Sequence, residues 1–241
     1  MTLTAAWQGL SVVSPYDGSV AAGPAQAEAP AGQSMADRAY QTITDRLIML
    51  DIRPGDPIDD TALAQDLGIG RTPVREALKR LEVDRLVVAY PRRGTFATGV
   101  DIADLAGISD IRAQLEPLAA RRAAERAPRS VRAELTELAD QIAGLHIGLL
   151  ERRELMRWDM VVHRAIYQAA GNPHLEDVLV RYDNLATRIF CLFLDQIPHV
   201  DEHVGEHVDL LRTIADGQVE RAAELAREHV LGFERAIRAA I

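Results

Sequence analysis

Apolar residues fall at helical spacing in two separate stretches of the chain, and between them the period changes. Ala36, Tyr40, Ile43, Leu47 and Leu50 mark one face of a first helix that Pro54 and Gly55 stop. Thr61 to Leu67 reads as a short second helix, and Gly68-Ile69-Gly70 as a tight turn. Thr72 is the expected N-cap of a third helix, with Pro73 at its first position, where the missing N–H has no intrahelical partner to lose. Val74, Ala77, Leu78 and Leu81 form its apolar face. The period then drops to two. Leu86 to Tyr90 and Thr95 to Ala97 read as strands joined across Pro91-Arg92-Arg93-Gly94. Beyond a short linker near Thr98–Asp101 the helical period returns. It breaks at Pro128–Arg129, weakly near Gly148, and at Gly171-Asn172-Pro173, Pro198 and Gly217. These breaks predict six helices, near 102–126, 130–148, 151–170, 174–195, 200–215 and 218–240.

The expected fold is therefore mainly α. A winged helix-turn-helix over 35–98 (three helices plus a β-hairpin wing) precedes an all-α antiparallel bundle of about six helices over 101–241. Residues 1–34 are rich in Ala, Gly, Pro and Ser without a sustained period and are expected to be a disordered tail, with at most a weak strand at Val12–Val13.

Charge changes the picture of the first domain. The chain carries −9 overall, yet residues 71–93 hold seven Lys and Arg against Glu76, Glu82 and Asp84, a local +4 that leaves −13 for the rest. An anion-binding surface on an acidic body follows. No apolar run approaches the ~18 residues needed to span a bilayer. No basic residue precedes Arg38, which argues against a signal or transit peptide. The single Cys191 precludes an internal disulfide and fits a reducing compartment, so a cytoplasmic location is expected.

On the third helix, Arg71, Thr72, Arg75 and Lys79 lie opposite the leucines, and residues at i and i+4 share a face. In helix-turn-helix proteins the start of the recognition helix meets base edges in the major groove. Arginine there pairs bidentately with guanine, while hydroxyls and N–H groups hold phosphates. Arg92, Arg93 and Gly94 sit at the wing tip, placed for a minor groove or the backbone.

The second domain has a carboxylate where a core residue should be. Leu155, Val162, Ile166 and Ala169 form an apolar stripe, and Asp159 falls in it with His163 one turn later. Burying an ionised carboxylate costs several kcal/mol unless it is paired or binds a metal. His207 lies 10 residues before Gly217 and His229 lies 12 after it. In an antiparallel hairpin these positions are roughly 15 and 18 Å from the turn and nearly level. His203, 14 residues from the turn, matches less well, and His199 worse still. Asp159, His163, His207 and His229 make a three-nitrogen, one-oxygen set suited to zinc, nickel or another borderline divalent metal, with positions open for water or ligand. Arg112 also falls in an apolar stripe, with Ile108, Leu115 and Ala119, and Glu116 follows one turn on. An inward arginine can simply pair with Glu116, or it can help a cation hold an anion.

Arg53-Pro54-Gly55, Leu63-Ala64-Gln65-Asp66-Leu67-Gly68, Arg71-Thr72-Pro73-Val74-Arg75-Glu76-Ala77-Leu78 and Arg92-Arg93-Gly94-Thr95-Phe96 resemble the GntR family of bacterial transcription regulators over roughly 36–98. Two departures are Gly70, where the family has Ser or Thr, and Arg85, where it has glycine. The rest is similar to the FCD effector domain of the FadR subgroup. The resemblance runs through Ile111-Arg112-Ala113-Gln114-Leu115-Glu116-Pro117, Asp159-Met160-Val161-Val162-His163, Gly171-Asn172-Pro173, Glu206-His207 and Glu228-His229, and six helices suggest the VanR-like branch. It implies a non-enzymatic regulator that binds a palindromic operator as a homodimer. Asp159, His163, His207 and His229 would be its metal ligands, and Arg112, with Glu116 and Asn172, would serve a small organic acid effector. An acyl-CoA ligand is not expected, because those regulators lack this metal set. Two alternatives remain: a sensor in which the cation itself is the signal, and a metallohydrolase fused to a winged helix. No HExxH-type helix supports the latter, and Glu116 is its one nominee for a general base.

Overall fold

The computed structural model describes residues 34–241. The tail expected over 1–34, with the Val12–Val13 strand, lies outside the described residues except for Ser34. That residue caps α1 (Met35–Ile48) by accepting the Asp37 N–H at 3.1 Å. The chain divides into two compact units, the first ending at Val100 and the second beginning at Asp101.

In the first unit, α1 is followed by β1 (Pro57–Ile58), α2 (Asp60–Asp66), α3 (Arg71–Val83), β2 (Val87–Tyr90) and β3 (Gly94–Ala97). Ala39, Ile43, Leu47 and Ile48 of α1 pack on α3, whose Val74, Ala77, Leu78 and Leu81 are buried. Each large side chain so buried contributes about 1.5–3 kcal/mol. The boundaries differ from the pattern in three places. α1 ends before Pro54 because Leu50 adopts a left-handed φ of 60°. α3 starts at Arg71, with Gly70 rather than Thr72 as its N-cap, so Pro73 is third in the helix. Proline is tolerated there because no N–H of the first turn has an intrahelical acceptor. β1 pairs with β3 to give the order β1-β3-β2, and two residues are too few to show a period.

Arg85, standing where a glycine would be easiest, takes a φ of 62°, which costs about 1–2 kcal/mol for a residue with a Cβ. The strain is held from both sides. Tyr40 donates to Asp84 at 2.7 Å, and Thr98 Oγ1 donates to the Arg85 carbonyl at 2.8 Å.

The second unit is all helical: α4 (Asp104–Arg126), α5 (Arg129–Ala143), α6 (Arg152–Ala169), α7 (Pro173–Phe193), α8 (Val200–Ala215) and α9 (Val219–Ala239). α5 is shorter than its apolar pattern suggests. Gly144 ends it, and the chain tightens into a 3-10 turn at Ile147–Leu149. α6 is buried on most of its circumference and contacts α4, α5, α7 and α8, so its polar residues lie in the middle of the unit. α4 packs most extensively on α9. Pro117 inside α4 has no N–H for the Ala113 carbonyl, and Arg227 of α9 donates to that oxygen instead, at 3.4 Å. Arg132, on α5, donates to the carbonyls of Ala124, Ala127 and Ala215 at 2.6, 3.0 and 3.1 Å, tying the ends of α4 and α8 to α5.

That junction fixes the α8–α9 hairpin. Gly217 turns the chain at φ 74°, and a Cβ there would meet Arg132 Nη1 at 2.8 Å. Gly217→Ala therefore combines left-handed strain with displacement of Arg132. It should destabilise the chain by about 1–2 kcal/mol in a denaturant melt; an unchanged midpoint would contradict this account of the turn. Among the described residues no helix is long and apolar enough to cross a membrane.

Candidate metal centre and nucleic-acid interface

Three helices of the second unit deliver one group of donors to the core. Asp159 and His163 stand one turn apart on α6, His203 and His207 one turn apart on α8, and His229 faces them from α9. The hairpin sets His207 and His229 ring to ring, with centroids 4.3 Å apart. Around Asp159 Oδ1 lie the Nε2 atoms of His203, His207, His163 and His229 at 3.5, 3.6, 3.8 and 3.9 Å. All five atoms are buried and have no hydrogen-bond partner. Such convergence is unfavourable by itself, since a buried donor or acceptor left unsatisfied costs ~1–3 kcal/mol.

The donor atoms of Asp159, His163, His207 and His229 all lie within 4.8 Å of one another. Two ligands held about 2.1 Å from one ion are about 3.0 Å apart at a right angle and about 4.2 Å apart when opposed. The distances from Asp159 Oδ1 to the three Nε2 atoms, 3.6, 3.8 and 3.9 Å, fall in that window, which direct hydrogen bonds do not explain. The residues present fit a divalent ion.

The outer nitrogens support the same reading. His207 Nδ1 donates to the Val204 carbonyl at 3.2 Å, and His229 Nδ1 lies 3.0 Å from Glu206 Oε2. His163 Nδ1 lies 3.2 Å from the Tyr167 hydroxyl and 3.3 Å from Glu116 Oε2. A carbonyl or carboxylate on Nδ1 fixes the tautomer and turns the Nε2 lone pair inward, as metal-ligating histidines require.

Burial raises the Asp159 carboxyl to about 6, with nearby Asp183 and Glu116 adding to it. Burial lowers His203 to about 3, with His163 adding to it, and drives His207 and His229 well below the ordinary imidazole value. These rings are neutral. At His163 burial also opposes charge, but Glu116, Asp183 and Asp159 outweigh it and hold the ring at about 9. An ion bound at His163 Nε2 would displace its proton, because a ligating imidazole is neutral.

Behind the donors runs a buried ionic layer. Arg112 Nε donates to Glu116 Oε1 at 2.6 Å, and its Nη2 donates to Asp183 at 3.3 Å. Arg164 donates to Asp183 at 2.7 Å and also to Asn184. Tyr167 donates to Glu116 at 3.0 Å. Burial pushes the Glu116 carboxyl up, but Arg112 and His163 outweigh it and hold it at about 2. Glu116 is therefore a fixed carboxylate already committed to two cations. Asn172 sits apart from this layer at the α6–α7 turn, where its side chain caps α7 by accepting the Leu175 N–H at 3.3 Å.

Sequence spacing missed His203, Asp183, Asn184, Arg164 and Tyr167. For Asp183 a signal existed: it interrupts the α7 stripe of Leu179, Ala186 and Phe190 just as Asp159 interrupts that of α6. The hairpin levels set His203 aside because they compared α8 with α9 alone. Asp159 on α6 is the third reference point, and it lies nearest to His203.

In the first unit Arg71, Thr72, Arg75 and Lys79 are exposed along α3, and Arg92, Arg93 and Gly94 are exposed at the wing tip. The tip is set by the β2–β3 register, which pairs Tyr90 with Gly94, and by φ angles of 65° at Arg92 and 100° at Gly94. Asp60 on α2 pairs with Arg71 at 3.2 Å and with Arg75 Nε. Its carboxyl is lowered chiefly by the Arg75 hydrogen bond. Asp60 thus holds two guanidinium groups near the start of α3.

Residues 35–97 match the bacterial regulatory proteins of the gntR family, and residues 107–232 match the FCD domain. The chain belongs to the GntR family. This GntR protein is a DNA-binding transcriptional regulator with a C-terminal FCD domain. It is 31% identical to the HTH-type transcriptional regulator YdhC of Bacillus subtilis, over 74% of this chain and 78% of that protein. It is 24% identical to the HTH-type transcriptional repressor GlaR of Escherichia coli, over 80% and 90% respectively. The solved structure of E. coli McbR/YncC has the same fold, with a TM-score of 0.75 at 22% identity over 86% of this chain and 98% of that one. As a GntR-family regulator the chain binds operator DNA.

Proposed function

We propose that this GntR regulator controls its operator through a small organic acid bound at a divalent metal site in the FCD domain. The observation that carries this reading is the convergence of buried donors, each without a partner, on Asp159 Oδ1. Asp159, His163, His207 and His229 would hold the ion, and zinc or nickel suits three imidazoles and one carboxylate. When bound, the ion supplies a Lewis-acidic positive charge that attracts a carboxylate. Arg112 backs the same pocket with a guanidinium whose pairing with Glu116 and Asp183 keeps it aimed inward. The DNA-binding units act as a homodimer in the cytoplasm. Paired recognition helices must match half-sites about 34–36 Å apart, so a change passed through the linker near Thr98–Asp101 alters DNA affinity. Asn172 is assigned to capping α7 rather than to touching the acid.

Gel-shift titration with the operator, with and without metal and with a panel of carboxylates, tests this reading. Affinity should change only when metal and acid are both present. A response to metal alone would replace it with metal sensing, and no response to either would remove the effector role.

On the DNA side, Arg75→Ala should weaken operator binding by about 1–3 kcal/mol and relax base discrimination. Lys79→Ala should weaken all sequences alike and reduce the salt slope by about one. Equal losses on operator and random DNA for Arg75→Ala would contradict a base-reading role.

A further inference from the structure

On the helices of this chain, Thr42, Thr44 and Thr136 donate their hydroxyls to the carbonyl four residues back, at 3.0, 2.7 and 3.0 Å. That bond is the ordinary resource of a threonine inside a helix. Thr187 on α7 departs from it. The residue is 1% exposed, and its buried hydroxyl has no hydrogen-bond partner. Valine has the same shape and would fill the position without enclosing an unsatisfied polar group.

The helical register says what Thr187 faces. It stands one turn after Asp183 and three residues before Phe190, so the three share a face of α7. At one end of that face Asp183 bonds to Arg112 on α4 and to Arg164 on α6. At the other end Phe190 stacks on Phe233 of α9 at 4.7 Å and on the His203 ring at 6.1 Å. The Arg112 guanidinium lies 5.2 Å from the centroid of the same Phe233 ring. Thr187 therefore sits between the ionic layer and the imidazoles, on the face turned toward both. A carboxylate held to an ion by one oxygen has a second oxygen that needs a donor. Arg112 has already committed Nε to Glu116 and Nη2 to Asp183.

We propose that Thr187 is an effector-contacting residue whose hydroxyl donates to the free oxygen of a small carboxylate bound at the metal site. This rests on the metal-and-acid reading above and deepens it by naming a neutral donor for the acid. A hydroxyl fixes the direction of the carboxylate without adding charge to a site that already has a guanidinium beside it.

The test uses the full-length chain loaded with zinc and titrated by calorimetry with acetate, lactate and succinate in turn. Thr187→Val keeps the shape and removes the donor, whereas Thr187→Ser keeps the donor. In metal-free form the valine variant should melt at or above the wild-type temperature, because it forfeits no bond. It should take up zinc as the wild type does. Whichever acid the wild type binds, the valine variant should bind it about tenfold or more weakly, as for loss of a hydrogen bond to a charged group, and the serine variant should stay within about threefold. Equal acid affinity in wild type and valine variant would overturn the contact. A metal-free valine variant that melts lower would also overturn it, since that marks a structural hydroxyl. A zinc-loaded wild type that binds none of the three acids would instead remove the acid reading itself, so the two failures are distinguishable.

Discussion

Loading the metal-free protein with zinc or nickel should raise the melting temperature of the helical unit by about 10 °C. At a free ion concentration a thousandfold above the dissociation constant, a ligand selective for the folded state contributes about 4 kcal/mol, and a domain of this size shifts by roughly 2–4 °C per kcal/mol. Combining Asp159→Ala with His207→Ala should abolish the shift. In the absence of metal the same variant should lose much less, because Asp159 Oδ1 and His207 Nε2 have no hydrogen-bond partner to forfeit. What remains is the volume deleted from the core and the His207 Nδ1 bond to the Val204 carbonyl, partly offset by removing a carboxyl that burial disfavours. This asymmetry separates a binding site from a structural polar cluster. A structural cluster would make the double variant unstable with or without the ion.

The second large effect lies one layer deeper. Arg112→Ala should destabilise the helical unit by about 3–5 kcal/mol, the usual consequence of leaving buried charges without their partner. Glu116 and Asp183 are almost wholly buried and both bond to this guanidinium. Glu116→Gln should cost less, since Arg112 keeps Asp183 and the amide can still accept a hydrogen bond from Tyr167. Urea melts of the two variants and their combination give the coupling energy directly. A loss below about 1 kcal/mol for Arg112→Ala would mean that the pairing is not structural, leaving Arg112 free for an anion alone.

Much of this arrangement is legible in the sequence alone. Asp159 and His163 announced themselves by interrupting an apolar stripe at i and i+4, and Gly217 supplied the mirror that set His207 against His229. The winged helix-turn-helix followed from a change of period, a glycine turn and an Arg-Arg-Gly tip. What escaped depended on the third dimension. His203 was compared only with α9, whereas Asp159 approaches from α6. Asp183 and Asn184 are polar interruptions whose purpose appears only when α7 meets Arg112 and Arg164. β1 is fixed by its pairing with β3 rather than by any pattern of its own. At α3 the N-cap is Gly70, which offers no side-chain acceptor to the first-turn N–H groups, and the helix starts two residues earlier than the Thr72 hydroxyl predicts.

Elemental analysis of wild-type protein prepared without chelators, beside the Asp159→Ala, His207→Ala double variant, tests the central claim most directly. The wild type should carry about one divalent ion per chain and the variant none. A wild type that stays metal-free and takes up no zinc, nickel or cobalt on addition would contradict it.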